Sequence, residues 1–499
     1  MNSSLGTLRK LFLAVSGLGC LLASASAFAA SFSISPSAIT NDFEGIITLS
    51  ITNLTPGQTV VVEQFADLNG NGAIDPGEPL ISHFTVTDGQ LPLIGGIRNP
   101  NVPGDDDGAT NGQLQVKLFF PSVDTTISDA AIKSVVRVSQ SQGLFAPVTQ
   151  PFSVAQKFYP QGVTGRVTDS ATGLPLTNTL IGLGSQSTSG ARVTQTDGNG
   201  FFTLYLLPNT YSPVVVKDGY ISDQNNQATV VCNQFATNNP TPTNVSLTIS
   251  GKVSDIATGA GLAGLLITAN STNNLFTAAF TDTNGNYTLP VSPNNQWKLR
   301  PDKPGPDQIG YLALANRVKI NVAGSSISGV NISLPKATAL IYGAVRDDRG
   351  NPVAGLPVFC QDTNGSVEID GRSFATNGNY ALGVTNGTWG FVVGELNLHG
   401  FTGQFTNLNI SSGQAVQADL VVSRTNFPAL VNFSRAAPGH AQFTLNGLAG
   451  QTYLLQAVTS LGSTNWTTFL KTNCNCNTVT ILDSSATNTS QFYRAQIVP

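Results

Sequence analysis

The chain has 499 residues, which is enough for several domains of about 100–200 residues each. Only 10% of the residues are Asp, Glu, Lys or Arg, well below the roughly 25% of a typical soluble domain. The net charge is −4, and the 24 basic residues are spread over the whole length. A surface that binds nucleic acid needs clustered Lys and Arg, so the composition excludes nucleic acid as a partner.

The N-terminus has the pattern of a secretory signal. Arg9 and Lys10 precede the short apolar stretch "LFLAVSGLGCLLASASAFAA", which ends in small residues around Ala29. This order predicts a signal peptide over residues 1–30 and a secreted or cell-surface protein. A membrane anchor is the alternative reading, but the apolar stretch is short and rich in Ala and Ser. No later segment has about 18 uninterrupted apolar residues, so we expect no transmembrane segment in the mature chain.

Residues 31–156 are predicted to form an immunoglobulin-like β domain. Alternating apolar and polar residues in "SFSISPSAI", "GIITLSITNL", "TVVVEQFADL" and "GQLQVKLFFP" are typical of half-buried strands. An acidic loop of this domain, "PGDDDGATNG" around Asp105–Asp107, does not have the regular spacing of metal ligands. We therefore interpret that loop as solvated. We call it the second acidic loop, because a loop nearer the N-terminus is also acidic.

One loop of this domain has the spacing of a calcium site. Counted from Asp67, oxygen-bearing groups fall at positions one, three, five, seven, nine and twelve of a twelve-residue EF-hand-type loop. The ligands predicted in this way are Asp67, Asn69, Asn71, the Ala73 carbonyl, Asp75 and Glu78. Two Asn replace Asp, no flanking helix is predicted, and the expected affinity is weak, with Kd on the order of 10⁻⁴–10⁻³ M. The predicted role is structural, and a metal-free β connection is the alternative.

Three stretches downstream repeat one another. They begin "VTGRVTDSATGLPL", "ISGKVSDIATGAGLAG" and "IYGAVRDDRGNPVAGLPV", with anchoring glycines at Gly165, Gly251 and Gly343 that lie 86 and 92 residues apart. Each stretch continues with an Asn-Gly turn and alternating strands, so each is predicted to be a small β-sandwich. The predicted repeats are 162–248, 249–335 and 339–424. An aromatic at one shared position, Tyr211, Trp297 or Trp389, is interpreted as a core residue, and "NNPTPTN" around Pro240 as a linker.

The repeated motif resembles the carboxypeptidase regulatory-like domain. The shared elements are G-x-V-x-D, then after two or three residues G-x-[PG]-[LV], then T-D-x-N-G-x-[FY] in the first two copies, then a Gly-aromatic pair. The resemblance implies a transthyretin-like sandwich, related to pilus and adhesin B-type repeats and to carbohydrate-binding-like folds. It also implies a non-catalytic appendage of secreted proteins. The third copy departs from the pattern, because Ala375 stands where the second copy has Asp282.

Residues 427–499 are predicted to form a C-terminal β module. Its stretch "AQFTLNGLAGQTYLLQAVTSLGSTNWTTF" and terminal "F-Y-R-A" resemble a module common on secreted proteins of environmental bacteria, and we expect Trp466 and Tyr493 to be buried in it. The mature chain keeps four cysteines, and the sequence leaves all of their pairings open. They are Cys232, Cys360, Cys474 and Cys476.

The residues of catalysis are sparse in this sequence. His83, His399 and His440 each fall in a different predicted domain, and none has the neighbours that a nucleophile or a catalytic metal needs. We therefore predict an all-β tandem array of small sandwiches that is not an enzyme. The predicted function is a secreted or cell-surface scaffold or adhesin-like spacer, monomeric, with other surface proteins or polysaccharide as partners. A carbohydrate-binding protein that uses one or more repeats is the alternative.

Overall fold

The computed structural model is built almost wholly of strands, which confirms the all-β tandem-sandwich fold class. It describes residues 29–498 except 44, 120–130, 141–142, 186–190, 375–376, 393–395, 397–399, 404, 426–427, 438 and 487–489. The predicted signal peptide over 1–30 therefore lies outside the described residues apart from Ala29 and Ala30, and so do Ala375 and His399. Among the described residues, no helix has the length and apolar character needed to span a bilayer.

The first domain, residues 31–156, is a sandwich of two sheets with the strand orders β1-β3-β8 and β2-β10-β9-β4-β5, together with the small hairpin β6-β7. Alternation along β3 turns Ile47, Leu49 and Ile51 into the core between the sheets. The strands are β1 Ser31–Ser35, β2 Ala38–Thr40, β3 Ile46–Thr52, β4 Thr59–Ala66, β5 Leu80–Thr87, β6 Leu93–Ile94, β7 Ile97–Arg98, β8 Leu114–Phe119, β9 Lys133–Ser139 and β10 Val148–Ala155.

Repeat 1, residues 162–248, contributes the sheets β14-β11-β18 and β13-β12-β15-β17. Its strands are β11 Gly162–Arg166, β12 Leu180–Ser185, β13 Ala191–Gln195, β14 Phe201–Tyr205, β15 Asn209–Val216, β16 Tyr220–Asp223, β17 Ala228–Val230, β18 Phe235–Thr237 and β19 Thr243–Asn244. The predicted linker around Pro240 is wrong. Pro240 is buried, and its carbonyl accepts the Thr168 N–H, so this segment lies along the sandwich rather than between two domains.

Repeat 2, residues 249–335, forms the sheets β23-β20-β27 and β19-β16-β22-β21-β24-β26. Its elements are β20 Leu247–Asp255, β21 Leu266–Ser271, β22 Leu275–Phe280, β23 Asn286–Val291, β24 Asn295–Pro301, α1 Pro304–Gln308, β25 Ala313–Leu314, β26 Val318–Val322 and β27 Ile332–Leu334. The second sheet includes β16 and β19 of repeat 1, because Ser222 and Asp223 pair with Phe276 and Leu275. The two repeats therefore share one sheet.

Repeat 3, residues 339–424, forms the sheets β31-β28-β36-β33, with β35 also on β28, and β25-β30-β29-β32-β34. Its strands are β28 Ala339–Asp347, β29 Pro357–Asp362, β30 Val367–Arg372, β31 Asn379–Val384, β32 Gly387–Phe391, β33 Phe401–Thr402, β34 Leu408–Ile410, β35 Ala415–Gln417 and β36 Leu420–Arg424. Strand β25 of repeat 2 adds to the second sheet through Ala313 opposite Glu368. Repeats 2 and 3 are thus also joined through backbone pairing.

The anchoring glycines occupy the same place in all three repeats. A Cβ on Gly165, Gly251 or Gly343 would collide with the backbone carbonyl oxygen of a neighbouring strand segment. Only glycine lets the two backbones approach so closely at this position. The spacing of these glycines in the sequence therefore marks one structural contact made three times.

The shared aromatic position is a core position, as predicted. Tyr211, Trp297 and Trp389 are all buried. The hydroxyl or indole N–H of each side chain donates to a backbone carbonyl four or five residues earlier. The Tyr211 hydroxyl donates to the Leu207 carbonyl at 2.9 Å. The two indole Nε1 atoms donate in the same way, at 3.3 and 2.9 Å. A buried aromatic with a polar tip is stable only when that tip is bonded, and here the backbone supplies the partner.

The first domain contacts all three repeats. It meets repeats 1 and 2 in an apolar junction, a buried cluster to which each of the three domains contributes three residues. These are Ala66, Ile81, Ile132, Leu180, Val193, Val214, Leu266, Phe276 and Ala278. The first domain also reaches repeat 3, where Asn101 Nδ2 donates to the Ala381 carbonyl at 2.6 Å and the rings of Phe119 and Phe374 stack 4.2 Å apart.

An ion-pair cluster reinforces the contact between repeats 2 and 3. Glu368 Oε1 lies 2.8 Å from Arg300 Nη1 and 2.9 Å from Lys303 Nζ, and the glutamate side chain is only 6% exposed. Asp307, in α1, accepts the Asp370 N–H at 3.0 Å. Burial, together with the nearby Asp370 carboxylate, raises the pKa of Asp307 well above its usual value.

The C-terminal module, residues 427–499, consists of two three-stranded sheets, β37-β38-β41 and β40-β39-β42. Its strands are β37 Ala429–Ala437, β38 His440–Asn446, β39 Thr452–Val458, β40 Thr467–Asn473, β41 Thr478–Asp483 and β42 Phe492–Ile497. Full burial of Trp466 and Tyr493 is a wrong prediction. Both are half-buried. The small sheets leave Trp466 at the rim, where the Arg494 guanidinium lies over its ring. The Tyr493 hydroxyl donates to Asp483.

The cysteine pairing that the sequence left open joins two parts of the chain. Cys232 of repeat 1 and Cys476 of the C-terminal module form a disulfide, with Cα atoms 5.8 Å apart. Beside it, Gln161 Nε2 donates to the Asn475 carbonyl at 3.0 Å. Cys360 and Cys474 are buried thiols. The disulfide fixes the C-terminal module to repeat 1.

Candidate metal centre

The predicted calcium loop connects β4 to β5, and Asp67 organises its first half. Asp67 is buried immediately after β4, and its own N–H donates to the Lys133 carbonyl at 3.0 Å. Its Oδ1 accepts the Asn71 N–H at 3.0 Å, and its Oδ2 accepts the Gly72 N–H at 2.9 Å. The backbone therefore winds around one carboxylate, and Gly72 makes the bend at a φ of 77°, which glycine adopts without strain.

The two asparagines continue the winding. Asn69 Oδ1 accepts the Asn71 N–H at 2.9 Å, and Asn71 Oδ1 accepts the Ala73 N–H at 2.8 Å. Both side-chain amides donate through Nδ2 to the same oxygen, Asp75 Oδ2, at 2.6 Å each. Positions three, five and nine of the loop thus converge on one point.

Glu78 closes the loop onto its beginning. Its Oε1 accepts the Leu68 N–H at 2.9 Å, and its Oε2 accepts the Asp75 N–H at 3.0 Å. The side chain therefore reaches from position twelve to positions two and nine. Of the six predicted ligands, Asp67, Asn69, Asn71, Asp75 and Glu78 form one hydrogen-bonded group, whereas the contact shown for Ala73 is made by its N–H.

The donor set fits a hard cation only with help from neutral oxygens. Within the described part of the chain, no three His, Cys, Asp or Glu side chains come close enough to hold an ion by themselves. Ca²⁺ takes six to eight oxygens, and amide and carbonyl oxygens serve as well as carboxylates. The amides of Asn69 and Asn71 supply such oxygens, and the three carboxylates balance the charge. Asp75 would contribute a carboxylate oxygen to such an ion, and in this structure its Oδ2 accepts from the two asparagine amides.

The loop lies at the meeting point of three domains. Leu68, its second residue, packs against the apolar junction. The outer side of the loop, from Asn69 to Pro79, borders an open cleft of about 760 Å³, whose other walls come from repeats 1 and 2, including Lys217 and Asp282. The loop therefore adjoins the contacts between domains.

The second acidic loop is structural, which differs from the solvated loop expected from the sequence. Asp105 is fully buried, and its carboxylate accepts the Gly89 N–H at 2.7 Å and the Gln115 N–H at 3.1 Å. Asp106 pairs with Arg98 at 3.2 Å. Buried carboxylates are stable when backbone N–H groups surround them. A run of three aspartates does not by itself indicate which one faces inward.

An aspartate organises the Asn-Gly turn in repeat 1 and in repeat 2. Asp197 Oδ1 accepts the N–H groups of Asn199 and Phe201, both at 2.8 Å. Asp282 Oδ1 accepts those of Asn284 and Asn286 at the same distance. The carboxylates at these positions bond their own turns, which explains why acidic residues recur there.

The two described histidines stand apart in different domains. His83 lies on β5 opposite Glu63, and burial lowers its pKa. His440 begins β38 and is half-buried.

The fold and these contacts define a class: a modular all-β protein whose sandwiches are joined through shared sheets and a buried junction. A family model, that of the carboxypeptidase regulatory-like domain, matches residues 162–243, which lie within repeat 1. No curated protein matches the chain.

Several solved structures resemble the chain. The TIE protein of Bacillus anthracis is 11% identical over 79% of this chain and 75% of its own, with a TM-score of 0.18. The minor pilin GBS52 of Streptococcus agalactiae is 10% identical over 38% of this chain and 100% of its own, with a TM-score of 0.20. A mutant of the shaft pilin SpaA of Lactobacillus rhamnosus GG is 14% identical over 36% and 98%, with a TM-score of 0.16.

Proposed function

We propose that this protein is a non-catalytic scaffold, secreted or displayed at the cell surface, in which three carboxypeptidase regulatory-like repeats hold a fixed arrangement. The observation that carries the proposal is the way the domains are joined. Repeats 1 and 2 share a sheet, repeats 2 and 3 share another, and the first domain contacts all three repeats. Backbone pairing and apolar burial across domain boundaries resist hinge motion far better than a free linker does.

The test of this proposal is made on the native protein. Cell fractionation should find it in the medium or at the cell surface, and mass spectrometry should find its N-terminus at Ala30 or Ser31. Recovery from the cytosol with Met1 retained would contradict the proposal, because a scaffold of this kind needs the predicted signal to leave the cell.

We propose further that Ca²⁺ binds the loop Asp67–Glu78 and has a structural role. Asp67, Asn69, Asn71, Ala73, Asp75 and Glu78 would supply the oxygens. An ion that binds only the folded chain stabilises it by RT ln(1 + [L]/Kd), which is roughly 1.4 kcal/mol at ten times Kd. Because Leu68 packs against the apolar junction, that stabilisation would extend to the contacts between domains.

Calorimetry of the full chain tests the calcium proposal. In millimolar Ca²⁺ the melting temperature should exceed that in EDTA, and Asp75→Asn should abolish the difference. Asp197→Asn, in a turn with a similar sequence, is the matched control and should keep it. An equal melting temperature of the unsubstituted protein in Ca²⁺ and in EDTA would end this proposal.

The carbohydrate-binding alternative stays a prediction, and the two buried tryptophans cannot serve it. Trp297 and Trp389 are 0% and 1% exposed, so neither ring can stack on a sugar. A sugar would need a different aromatic surface.

A further inference from the structure

One sheet face of repeat 1 presents aromatic rings to solvent. Among the described residues, four phenylalanines are exposed, and three of them lie on this face. They are Phe158, Phe201 and Phe235, with 69%, 51% and 43% of their surfaces exposed. Tyr205 stands between two of them, with its ring centroid 5.1 Å from Phe158 and 5.9 Å from Phe235. We call these four rings, on the sheet β14-β11-β18 and the segment before it, the aromatic face.

The segment before the sheet holds Phe158 in place. Gln156 bonds the edge of β14, donating to the Thr203 carbonyl and accepting the Tyr205 N–H. Lys157 Nζ pairs with Asp42 at 3.0 Å, and Tyr159 is buried. The neighbours of Phe158 on both sides are therefore anchored, and its ring alone projects outward. A backbone fixed in this way presents the exposed ring at little further entropic cost.

Comparison with the other repeats shows that the fold does not demand these rings. The strand registers place Phe202 against Gly165, Tyr287 against Gly251 and Tyr380 against Gly343. One residue before these aromatics, repeat 1 has Phe201 where repeats 2 and 3 have asparagine. The two asparagines are Asn286 and Asn379.

The second position of the comparison gives the same result. Three residues after the same aromatics, repeat 1 has Tyr205, whereas repeat 2 has Pro290 and repeat 3 has Gly383. In repeat 3 this strand lies against the first domain, with Asn101 bonded to the Ala381 carbonyl. Rings at both positions therefore belong to repeat 1 alone, and exposed aromatic rings grouped on one face are typical of an interaction site.

The chemistry of the face favours a neutral, amphipathic ligand. Threonine hydroxyls alternate with the rings, and Thr164 Oγ1 lies 3.3 Å from Thr203 Oγ1. Strands β11, β14 and β18 carry one cation, Arg166, which lies over the Phe201 ring and donates to the Asn199 carbonyl. The same three strands carry no Asp or Glu, so a ligand on the sheet would not have to desolvate a charged pair there.

We propose that the aromatic face binds a neutral polysaccharide chain. The C–H face of a sugar ring is apolar and its rim carries hydroxyls, which matches rings interspersed with threonines. Phe158 and Phe235 are inclined to Tyr205 by 55° and 78°, so the rings do not form one flat platform and suit a single hydrated chain rather than a flat crystalline surface. Phe201 and Tyr205 lie four residues apart on one strand, about 13 Å, which gives room for a short run of sugar units.

Affinity electrophoresis of the full chain tests the proposal. The gels contain hydroxyethyl cellulose, xylan, galactomannan or soluble β-glucan, and at least one of these should retard the protein. Phe158→Ala combined with Phe235→Ala should weaken that retardation about tenfold, which corresponds to about 1.4 kcal/mol for the two rings together. Phe201→Asn, which installs the residue of repeat 2, should weaken it severalfold.

The matched control is Asn286→Ala with Thr288→Ala on the equivalent face of repeat 2, which should keep full retardation. All of these side chains are exposed or lie at a rim, and unchanged melting temperatures would show that the variants fold. Migration of the unsubstituted protein unaffected by all four polymers would overturn the proposal, and so would equal retardation of the double variant. A concentration-dependent dimer that the double variant abolishes, seen by sedimentation, would also overturn it, because the face would then bind a second copy. None of these outcomes depends on the calcium loop or on the location of the protein.

Discussion

Leu180→Ala should uncouple the domains, because this side chain belongs to the apolar junction. Leu180 is 2% exposed and packs with residues of the first domain and of repeat 2, outside the internal core of repeat 1. Truncating a buried leucine removes its transfer free energy and leaves a cavity, together about 2–5 kcal/mol. For a cooperative unit of two or three small domains, that loss lowers the melting temperature by roughly 5 °C or more.

Differential scanning calorimetry measures the effect, with Leu183→Ala as the control. Leu183 lies on the same strand but in the internal core of repeat 1, so its truncation should destabilise that repeat directly. Leu180→Ala should instead split the transition of the full chain into separate ones, since the internal cores stay intact. A single transition at an unchanged temperature in Leu180→Ala would refute the idea that the junction couples the domains.

Three further substitutions probe the other joints. Glu368→Gln removes the negative charge that pairs with Arg300, and it should lower the free energy of unfolding by about 3 kcal/mol, as expected for breaking a buried ion pair. A urea unfolding curve unchanged within error would contradict this. Burial raises the pKa of Asp307, so the folded chain keeps a proton that the unfolded chain releases above about pH 4, and stability falls as pH rises towards the folded pKa. Asp307→Asn should therefore gain melting temperature over the unsubstituted protein as pH rises from 4 to 8, and a constant difference would disprove that assignment. Cys232→Ser should free the C-terminal module for limited proteolysis at its boundary, whereas an identical digestion pattern would show that the disulfide with Cys476 does not fix it.

Local features of the repeats could be predicted from the sequence because each has one physical cause. Period-2 alternation marks strands with one buried face. Gly165 and its two counterparts recur because two backbone segments approach each other closely there. Trp297 and Trp389 recur because each ring fills the core of its repeat. The spacing of the calcium loop also has a local cause, because its side chains hydrogen-bond to other groups of the same loop. The metal itself stays a prediction.

The joints between domains could not be predicted in the same way. Alternation says that one face of a strand is buried but not what covers the other face. Leu180 and Ile181, or Leu265, Leu266 and Ile267, are consecutive buried residues, and such runs are the sequence signal of strands covered on both faces. The partner of Cys232 could not be chosen among the four cysteines by spacing. Its partner follows only from the packing of the last module on repeat 1.

Small-angle X-ray scattering of the mature protein in solution tests most directly whether the domains form one packed body. A single packed body of about 470 residues has a radius of gyration near 23 Å, whereas five separate domains in a row would give roughly 45 Å. The shared sheets and the apolar junction predict a value well below 35 Å that does not change with salt. A value near 45 Å, or a scattering curve typical of flexible beads, would contradict the fixed arrangement on which the proposed scaffold depends.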